Sequence, residues 1–446
     1  MAPTKGDVLK KHFGYSSFRD GQEDLINSIL DGRDCVGIMP MGAGKSVCFQ
    51  VPAIMSEGIT IVISPLISLM KDQVDGLREN GVEAAYINSA LTMSQTDNVL
   101  AKAKRGEYKI IYIAPERLEV ESFLNFATNA SISMVSVDEA HCVSQWGHDF
   151  RLHYRKIPDF ISRLKKRPVL SAFTATATTE VRKDIVELLN LKTPFELVAG
   201  FNRKNLYFEV QKPKDKYAVL LQYIKRDVSR SGIIYCSTRN VVENVCERLR
   251  DDGLLATRYH AGLDNEERRI NQDDFLYDKQ RIMVATNAFG MGIDKSNVSF
   301  VVHYNMPKNI ESYYQEAGRA GRDGSFAECI LLFSGRDIST NLFLIDRSTE
   351  NSADTPKEIL VAKKEKDRER LYIMKHYCHT NECLREYILR YFQDYKKVEC
   401  NNCSNCKTTF ETIDVTIAAQ KILSCIARIK STLGISTIVS VLKGLY

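Results

Sequence analysis

Met39-Pro-Met-Gly-Ala-Gly-Lys45-Ser46 follows a short apolar run, 35–39, and precedes Val47-Cys-Phe-Gln-Val-Pro-Ala-Ile-Met55, a helical pattern. How these residues are read decides the fold. Glycines let the backbone turn its N–H groups toward a polyphosphate at a helix N-terminus. Lys45 can then reach the β- and γ-phosphates, and Ser46 can place a hydroxyl on Mg²⁺. Met41, Gly42, Ala43 and Gly44 supply the loop between. Met39 occupies the first glycine position of the full Gly-x-x-x-x-Gly-Lys-Ser/Thr pattern, so the loop alone also fits a tight glycine turn that opens a helix.

A second element removes that ambiguity. Val137-Asp138-Glu139-Ala140-His141 ends the run Ser-Met-Val-Ser-Val about 90 residues further on, which puts two adjacent acids at a strand's carboxyl end. Asp138 suits holding Mg²⁺ through water, and Glu139 suits polarising the attacking water of a hydrolysis. The surrounding chain alternates β-branched runs with helical patterns, which argues for parallel sheets covered by helices on both faces. Strands are expected at 35–39, 60–64, 109–114 and 134–138, and in a later stretch at 232–236, 281–286 and 298–303. Ligands of open α/β sheets gather at the carboxyl ends of such strands.

The chain has 446 residues, too many for one core, since single cores seldom grow past roughly 250–300 residues. With 44% apolar and 26% charged residues it has a globular composition, and its net charge of +5 permits a nucleic-acid partner without requiring one. The opening Met-Ala-Pro-Thr-Lys lacks a signal-peptide pattern, and no apolar run approaches the ~18 residues of a membrane span. The 12 cysteines are therefore read as reduced thiols and metal ligands rather than disulfides. The expected setting is cytoplasmic, nucleoid-associated in a bacterium or nuclear in a eukaryote. A soft break falls at 200–216. Strand signal fades after Asn341, and 357–376 reads as a solvated helix followed by crowded cysteines; two further helical stretches lie at 414–429 and 435–443.

Taken in order from about Leu9 to Cys406, the motifs closely resemble those of the RecQ branch of the superfamily 2 helicases. The resemblance implies two RecA-like lobes (1–202 and 203–340), a helical zinc-binding domain (341–407) and a partial winged helix (408–446). Phe13-Gly-Tyr15-Ser-Ser-Phe18-Arg19-Asp-Gly-Gln22 looks like the family's adenine-reading segment. That implies Tyr15 stacking on the base and Gln22 hydrogen-bonding its edge, with Arg19 nearby. Ser64-Pro-Leu-Ile-Ser68 and Ala114-Pro-Glu-Arg117 resemble loops that grip a DNA backbone, a task suited to hydroxyls, amides and cations. Phe173-Thr174-Ala-Thr176-Ala resembles the segment that couples hydrolysis to lobe motion; taken alone it is an ordinary buried strand end.

His141-Cys-Val-Ser-Gln145-Trp146-Gly-His148-Asp-Phe150-Arg151 looks like the family's aromatic-rich loop. An exposed Trp146 and Phe150 beside Arg151 would form a stacking platform for unpaired bases, whereas a Trp anchored in the core would not. In the second lobe Ser237, Thr238, Arg239, His260 and Asn287 fall in motifs implied to contact DNA. Gln315 is implied to lie at the nucleotide. Arg322 is implied to be an arginine finger assisted by Arg319, with the two on one face of a helix start.

Cys383, Cys400, Cys403 and Cys406 give C-x16-C-x2-C-x2-C, a spacing that suits a closed tetrahedral zinc site, with Cys378 and His379 as rival ligands. The expected activity is Mg²⁺-dependent ATP hydrolysis that drives a monomer 3′ to 5′ along DNA and separates strands, in repair or recombination. Met41, Ala43 and Ala317 depart from the usual Thr, Gly and Thr of relatives, which implies altered affinity. After Lys407 the chain has no room for a wing hairpin, which leaves a poorly unwinding translocase or annealing ATPase as one alternative. A non-catalytic DNA-binding scaffold is the other.

Overall fold

The computed structural model describes residues 3–147, 149–290, 295–347, 357–395, 399–409, 413–429 and 434–445. The first sheet contains β1 (Cys35–Ile38), β2 (Ile59–Ile63), β3 (Ala84–Ile87), β4 (Ile110–Ile113), β5 (Ile132–Val137), β6 (Val169–Thr174) and β7 (Phe195–Val198). The second contains β8 (Leu206–Gln211), β9 (Ser231–Tyr235), β10 (Ala256–Tyr259), β11 (Ile282–Ala285), β12 (Val298–His303) and β13 (Ala327–Leu332). The strand orders are β3-β4-β2-β5-β6-β1-β7 and β10-β11-β9-β12-β13-β8, and every pairing is parallel.

Parallel strands sandwiched between helices bury both faces, so they read as unbroken apolar runs. β1, β4, β9 and β11 are buried at every position. Gly232 on β9 shows how tightly the second sheet is packed: a Cβ there would lie 2.1 Å from ring carbons of Phe300 on neighbouring β12. In the first sheet Ile38 pairs with Thr174 and Val137 with Ala172, so the loops after β1, β5 and β6 leave the sheet side by side.

One expectation gains detail and another needs correction. The break at 200–216 holds β8, an edge strand of the second sheet whose burial alternates instead of running continuously. The charge-rich segment is one helix, Lys357–Tyr377, but only its first half is solvated; Arg370, Leu371, Met374 and Tyr377 are buried. Tyr377 packs against Tyr387 of the helix Leu384–Tyr391 and against Tyr313 of Ile310–Ala317 in the second lobe. The chain up to Cys406 forms one compact unit. Residues 407–446 form a second, containing the helices Thr416–Arg428 and Ile435–Leu442, which contact one another.

Candidate functional site

The turn after β1 carries Gly42 and Gly44 at φ 80° and 77°, the left-handed region where a side chain is strained. Gly44 caps the helix Lys45–Met55, and a Cβ on it would fall 2.5 Å from Nε2 of Gln22. Lys45 and Ser46 thus open a helix N-terminus, as a phosphate cradle requires. Lys45 Nζ lies 3.7 Å from Oε1 of Glu139. Glu139 has φ 46°, unusual for a side-chain-bearing residue. Its carboxylate also lies 3.3 Å from Nδ1 of His141, and that nitrogen is 2.8 Å from Oγ1 of Thr174 at the end of β6. The Glu139 amide donates to Oδ1 of Asp138 at 2.9 Å. Burial, and next the Glu139 charge beside it, push Asp138 up to about 6, while Lys45 pulls the other way. Two adjacent acids at a strand end are suited to a divalent cation, and Asp138 with Ser46 would hold Mg²⁺.

Gln22 and Arg19 both reach the phosphate loop. Gln22 is 3% exposed, and its Nε2 donates to the carbonyls of Ala43 and Gly44 at 3.0 and 3.1 Å. Its Oε1 accepts from the Arg19 amide at 2.8 Å, so both amide hydrogens hold the phosphate loop while the oxygen is tied within its own segment. Arg19 donates to the Gly42 carbonyl, and its guanidinium is 6.0 Å from the ring of Tyr15, which is exposed.

The second lobe approaches through the turn after Ile310–Ala317. Arg319 and Arg322 do not begin a helix, as expected, but follow its end at Gly318. A Cβ on Gly42 would lie 3.6 Å from Cγ of Arg322 and 3.7 Å from Nη1 of Arg203, so both arginines stand against the phosphate loop. The cavity beside them, about 300 Å³, is lined by Arg19, Met41, Ala43, Arg203, Asn205 and Arg322 among others. Arg319 is deeper, 3% exposed; its Nε and Nη1 have no hydrogen-bond partner among the described residues. Gln315 is spent across the lobes, donating to Oγ1 of Thr176 at 3.1 Å. Arg203 was not anticipated; it stood in the segment read as a break.

The expected DNA contacts divide. Ser237 and Asn287 share a cavity of about 250 Å³ at the carboxyl ends of β9, β11 and β12, lined also by Lys308, Asn305 and His303. Thr238 caps the helix Arg239–Asp251 with its hydroxyl, and Arg239 is exposed beside it. His260 is buried; Nε2 meets Glu243 at 2.5 Å and Nδ1 accepts from the Gly262 amide, so it shapes its loop rather than facing outward. Arg117 is half-buried on a short 3-10 turn. The side chain of Ser68, and all of His148, lie outside the described residues.

The aromatic-rich loop is more tightly held than an exposed platform. Trp146 is partly buried against the core, its carbonyl accepts from Arg370, and Phe150 lies under Arg155. Arg151 is turned inward, donating from Nε and Nη2 to Oδ2 of Asp149 and from Nη1 to the Pro65 carbonyl at 3.0 Å. The loop's turn demands Gly147, where a Cβ would sit 2.3 Å from the His141 carbonyl.

Cys383, Cys400, Cys403 and Cys406 bring their four sulfurs within 4.8 Å of one another, a donor set that fits zinc. The rivals are placed elsewhere. Cys378 is buried outside the cluster, and His379 donates from Nδ1 to the Lys375 carbonyl at 2.8 Å with its ring against Phe333.

Four family models match in sequence: DEAD/DEAH box helicase over 19–185, helicase conserved C-terminal domain over 215–324, RecQ zinc-binding over 335–407 and RQC domain over 409–445. The ATP-dependent DNA helicase RecQ of Bacillus subtilis (strain 168) is 46% identical over 438 residues, 98% of this chain and 72% of the relative. The protein of the same name from Haemophilus influenzae is 39% identical over 444 residues, 100% of this chain and 70% of that one. Among solved structures, the DEAD-box helicase Mss116 bound to ssRNA and UDP-BeF aligns with a TM-score of 0.64 at 16% identity, over 87% of this chain and 90% of that one, a likeness of fold. The phosphate loop, the acid pair, the facing arginine turn and the four-cysteine cluster fall inside these matches in the same order, and the chain belongs to the RecQ family of ATP-dependent DNA helicases.

Proposed function

We propose that this chain hydrolyses ATP in the cleft between its lobes and uses the cycle to move 3′ to 5′ along single-stranded DNA and to separate strands. One observation carries the reading. Lys45 and Glu139 stand 3.7 Å apart on the first lobe, and Arg322 of the second stands against the same phosphate loop. Lys45 and the loop amides grip phosphates, Glu139 orients and deprotonates the attacking water, and Arg322 meets the charge that develops on the γ-phosphate. Mg²⁺, held by Ser46 and Asp138, would supply neutralisation of phosphate charge. Zinc on the four cysteines would be structural, a closed tetrahedron contributing to folding. Tyr15 offers a face to the base, and Gln315 bonded to Thr176 links the lobes.

The limits we assign are 1–202 and 203–334 for the lobes, 335–407 for the zinc domain and 408–446 for the winged-helix segment. The helix Gly335–Arg347 is continuous through 340, which supports setting that limit at the helix start rather than at 340. DNA is assigned to the carboxyl-end surface carrying Arg117, Trp146, Phe150, Ser237, Arg239 and Asn287. No helix of the described residues is long and apolar enough to cross a membrane. We assign a cytoplasmic or nuclear monomer acting in repair or recombination. The test is steady-state ATP hydrolysis with and without single-stranded DNA, alongside unwinding of 3′- and 5′-tailed duplexes, with Glu139→Gln as control. DNA-stimulated turnover and unwinding of the 3′-tailed substrate are expected. Turnover indifferent to DNA would refute the coupling.

A further inference from the structure

Arg203 lies between β7 and β8, where the chain passes from one lobe to the other. A guanidinium carries five N–H donors in a rigid fork, and in Arg203 all five are used. Nη1 donates to the carbonyls of Met41 and Gly318 at 3.0 and 3.3 Å. Nη2 donates to those of Ala320 and Gly321 at 3.0 and 2.7 Å, and Nε to Oδ1 of Asn205 at 3.3 Å. Met41 belongs to the phosphate loop; the other three carbonyls belong to the turn that carries Arg319 and Arg322. Asn205 reinforces that turn, donating to the carbonyls of Gly321 and Ser325 at 2.9 and 2.8 Å. No donor of Arg203 is left for a phosphate, so any effect on ATP must pass through the two segments it joins.

The backbone of Arg203 is fixed in turn by the cysteine module. Arg385 donates to Oδ1 of Asn202 at 3.2 Å and to the carbonyls of Arg203 and Leu206, while its Nε lies 3.4 Å from Sγ of Cys400. Asn402 donates to the carbonyls of Lys204 and Leu206 at 3.1 and 3.2 Å. Phe201 stacks on Phe392 with centroids 4.6 Å apart, and its amide donates to Asp394 at 3.1 Å.

We propose that Arg203 is a positioning residue for ATP turnover: it sets the Arg322 turn against the phosphate loop, and the zinc module fixes Arg203 through Arg385. This rests on the cleft being the ATPase site and deepens that reading. On that reading Lys45 and the loop amides grip the ground-state phosphates, whereas the finger acts in the transition state. Loss of the strut therefore lowers kcat and spares binding.

The test compares the full-length wild type, Arg203→Lys, Arg322→Ala and the double variant, using single-turnover hydrolysis at saturating oligo(dT) and affinity for a fluorescent ATP analogue. Melting temperature and bound zinc are measured on each. Lysine keeps the charge, but its single nitrogen cannot span both segments. Arg203→Lys is expected to slow hydrolysis about tenfold or more with affinity within about threefold, and to slow Arg322→Ala by less than about twofold further, because residues acting as a unit are not additive. Losses that multiply in the double variant, or weakened binding at an unchanged rate, overturn the proposal. Arg385→Lys gives a second measure that leaves every cysteine in place: with zinc retained, it should show a smaller loss of the same non-additive kind. A wild-type rate there removes the zinc module from the scheme. A wild type without DNA-stimulated turnover would instead sink the reading of the cleft, not the strut.

Discussion

Replacing Gln22 with Ala separates two tasks that one side chain could perform. Sequence resemblance gives it the adenine edge; the structure gives it the phosphate loop, through donations to the carbonyls of Ala43 and Gly44 at 3.0 and 3.1 Å. Each such bond is worth about 0.5–1.5 kcal/mol net. Losing both removes about 1–3 kcal/mol from the ordered loop, roughly 5- to 140-fold in the affinity of any ligand gripped through its phosphates. The assay is competition of ATP, GTP and inorganic tripolyphosphate against a fluorescent nucleotide. If Gln22 acts by holding the loop, all three weaken by the same factor. If only ATP weakens, while GTP and tripolyphosphate bind as to the wild type, Gln22 reads the base and the loop-holding argument is refuted. Gln22→Glu sharpens the contrast, since a carboxylate would face two carbonyls with no proton to give them.

Glu139→Gln should bind ATP within about twofold of wild type while turnover falls by about 10²–10⁴; hydrolysis at the wild-type rate would remove Glu139 as the base. Trp146→Ala should abolish the stimulation of ATP turnover by single-stranded DNA, and unchanged stimulation would exclude the loop from coupling. Cys403→Ser replaces a fully buried ligand, so elemental analysis should show less zinc per chain and thermal melting should come earlier; full zinc content in a folded variant would refute the four-thiolate site. Gly232→Ala pushes a Cβ to 2.1 Å from the Phe300 ring and should cost about 1–3 kcal/mol in denaturant unfolding, as overpacking does. Adding Phe300→Leu should recover part of that loss.

What the sequence made legible was local. The phosphate loop and the acid pair each sit in a few consecutive residues behind an apolar strand, and the cysteine spacing specifies chelation without help from the rest of the chain. The misread parts depend on distant partners. β8 is an edge strand buried at two of its six positions, whereas β9 is buried at all five, so β8 lacks the unbroken apolar run of a central strand. The helix Lys357–Tyr377 looked solvated because its buried face includes Arg370, and an arginine reads as surface. Here Arg370 is 5% exposed, donating to the Trp146 carbonyl and lying 3.4 Å from Glu311 of the second lobe. Nothing in the local pattern distinguishes Arg203, Arg370 and Arg385 from solvent-facing arginines, because what they satisfy is backbone carbonyls of segments far away in sequence.

Glu139 shows how those distant ties bear on chemistry. A side-chain-bearing residue at φ 46° is held in a sparsely populated conformation that costs of order 1–3 kcal/mol, and it persists only where its surroundings over-determine it. Three surroundings do so here. Tyr154 donates to the Asp138 carbonyl at 2.9 Å, the Glu139 amide donates to the Asp138 carboxylate, and His141 connects the Glu139 carboxylate to Thr174. Thr174 begins the segment whose Thr176 receives Gln315 from the second lobe. The residue assigned to activate water is therefore aimed by contacts that run, through one histidine and two threonines, to the opposite lobe. A movement between the lobes that broke the Gln315–Thr176 bond would loosen the same set of contacts that keeps Glu139 out of an ordinary backbone conformation. With Glu139 as the proposed base, these contacts would link hydrolysis to lobe motion at the base as well as at the finger.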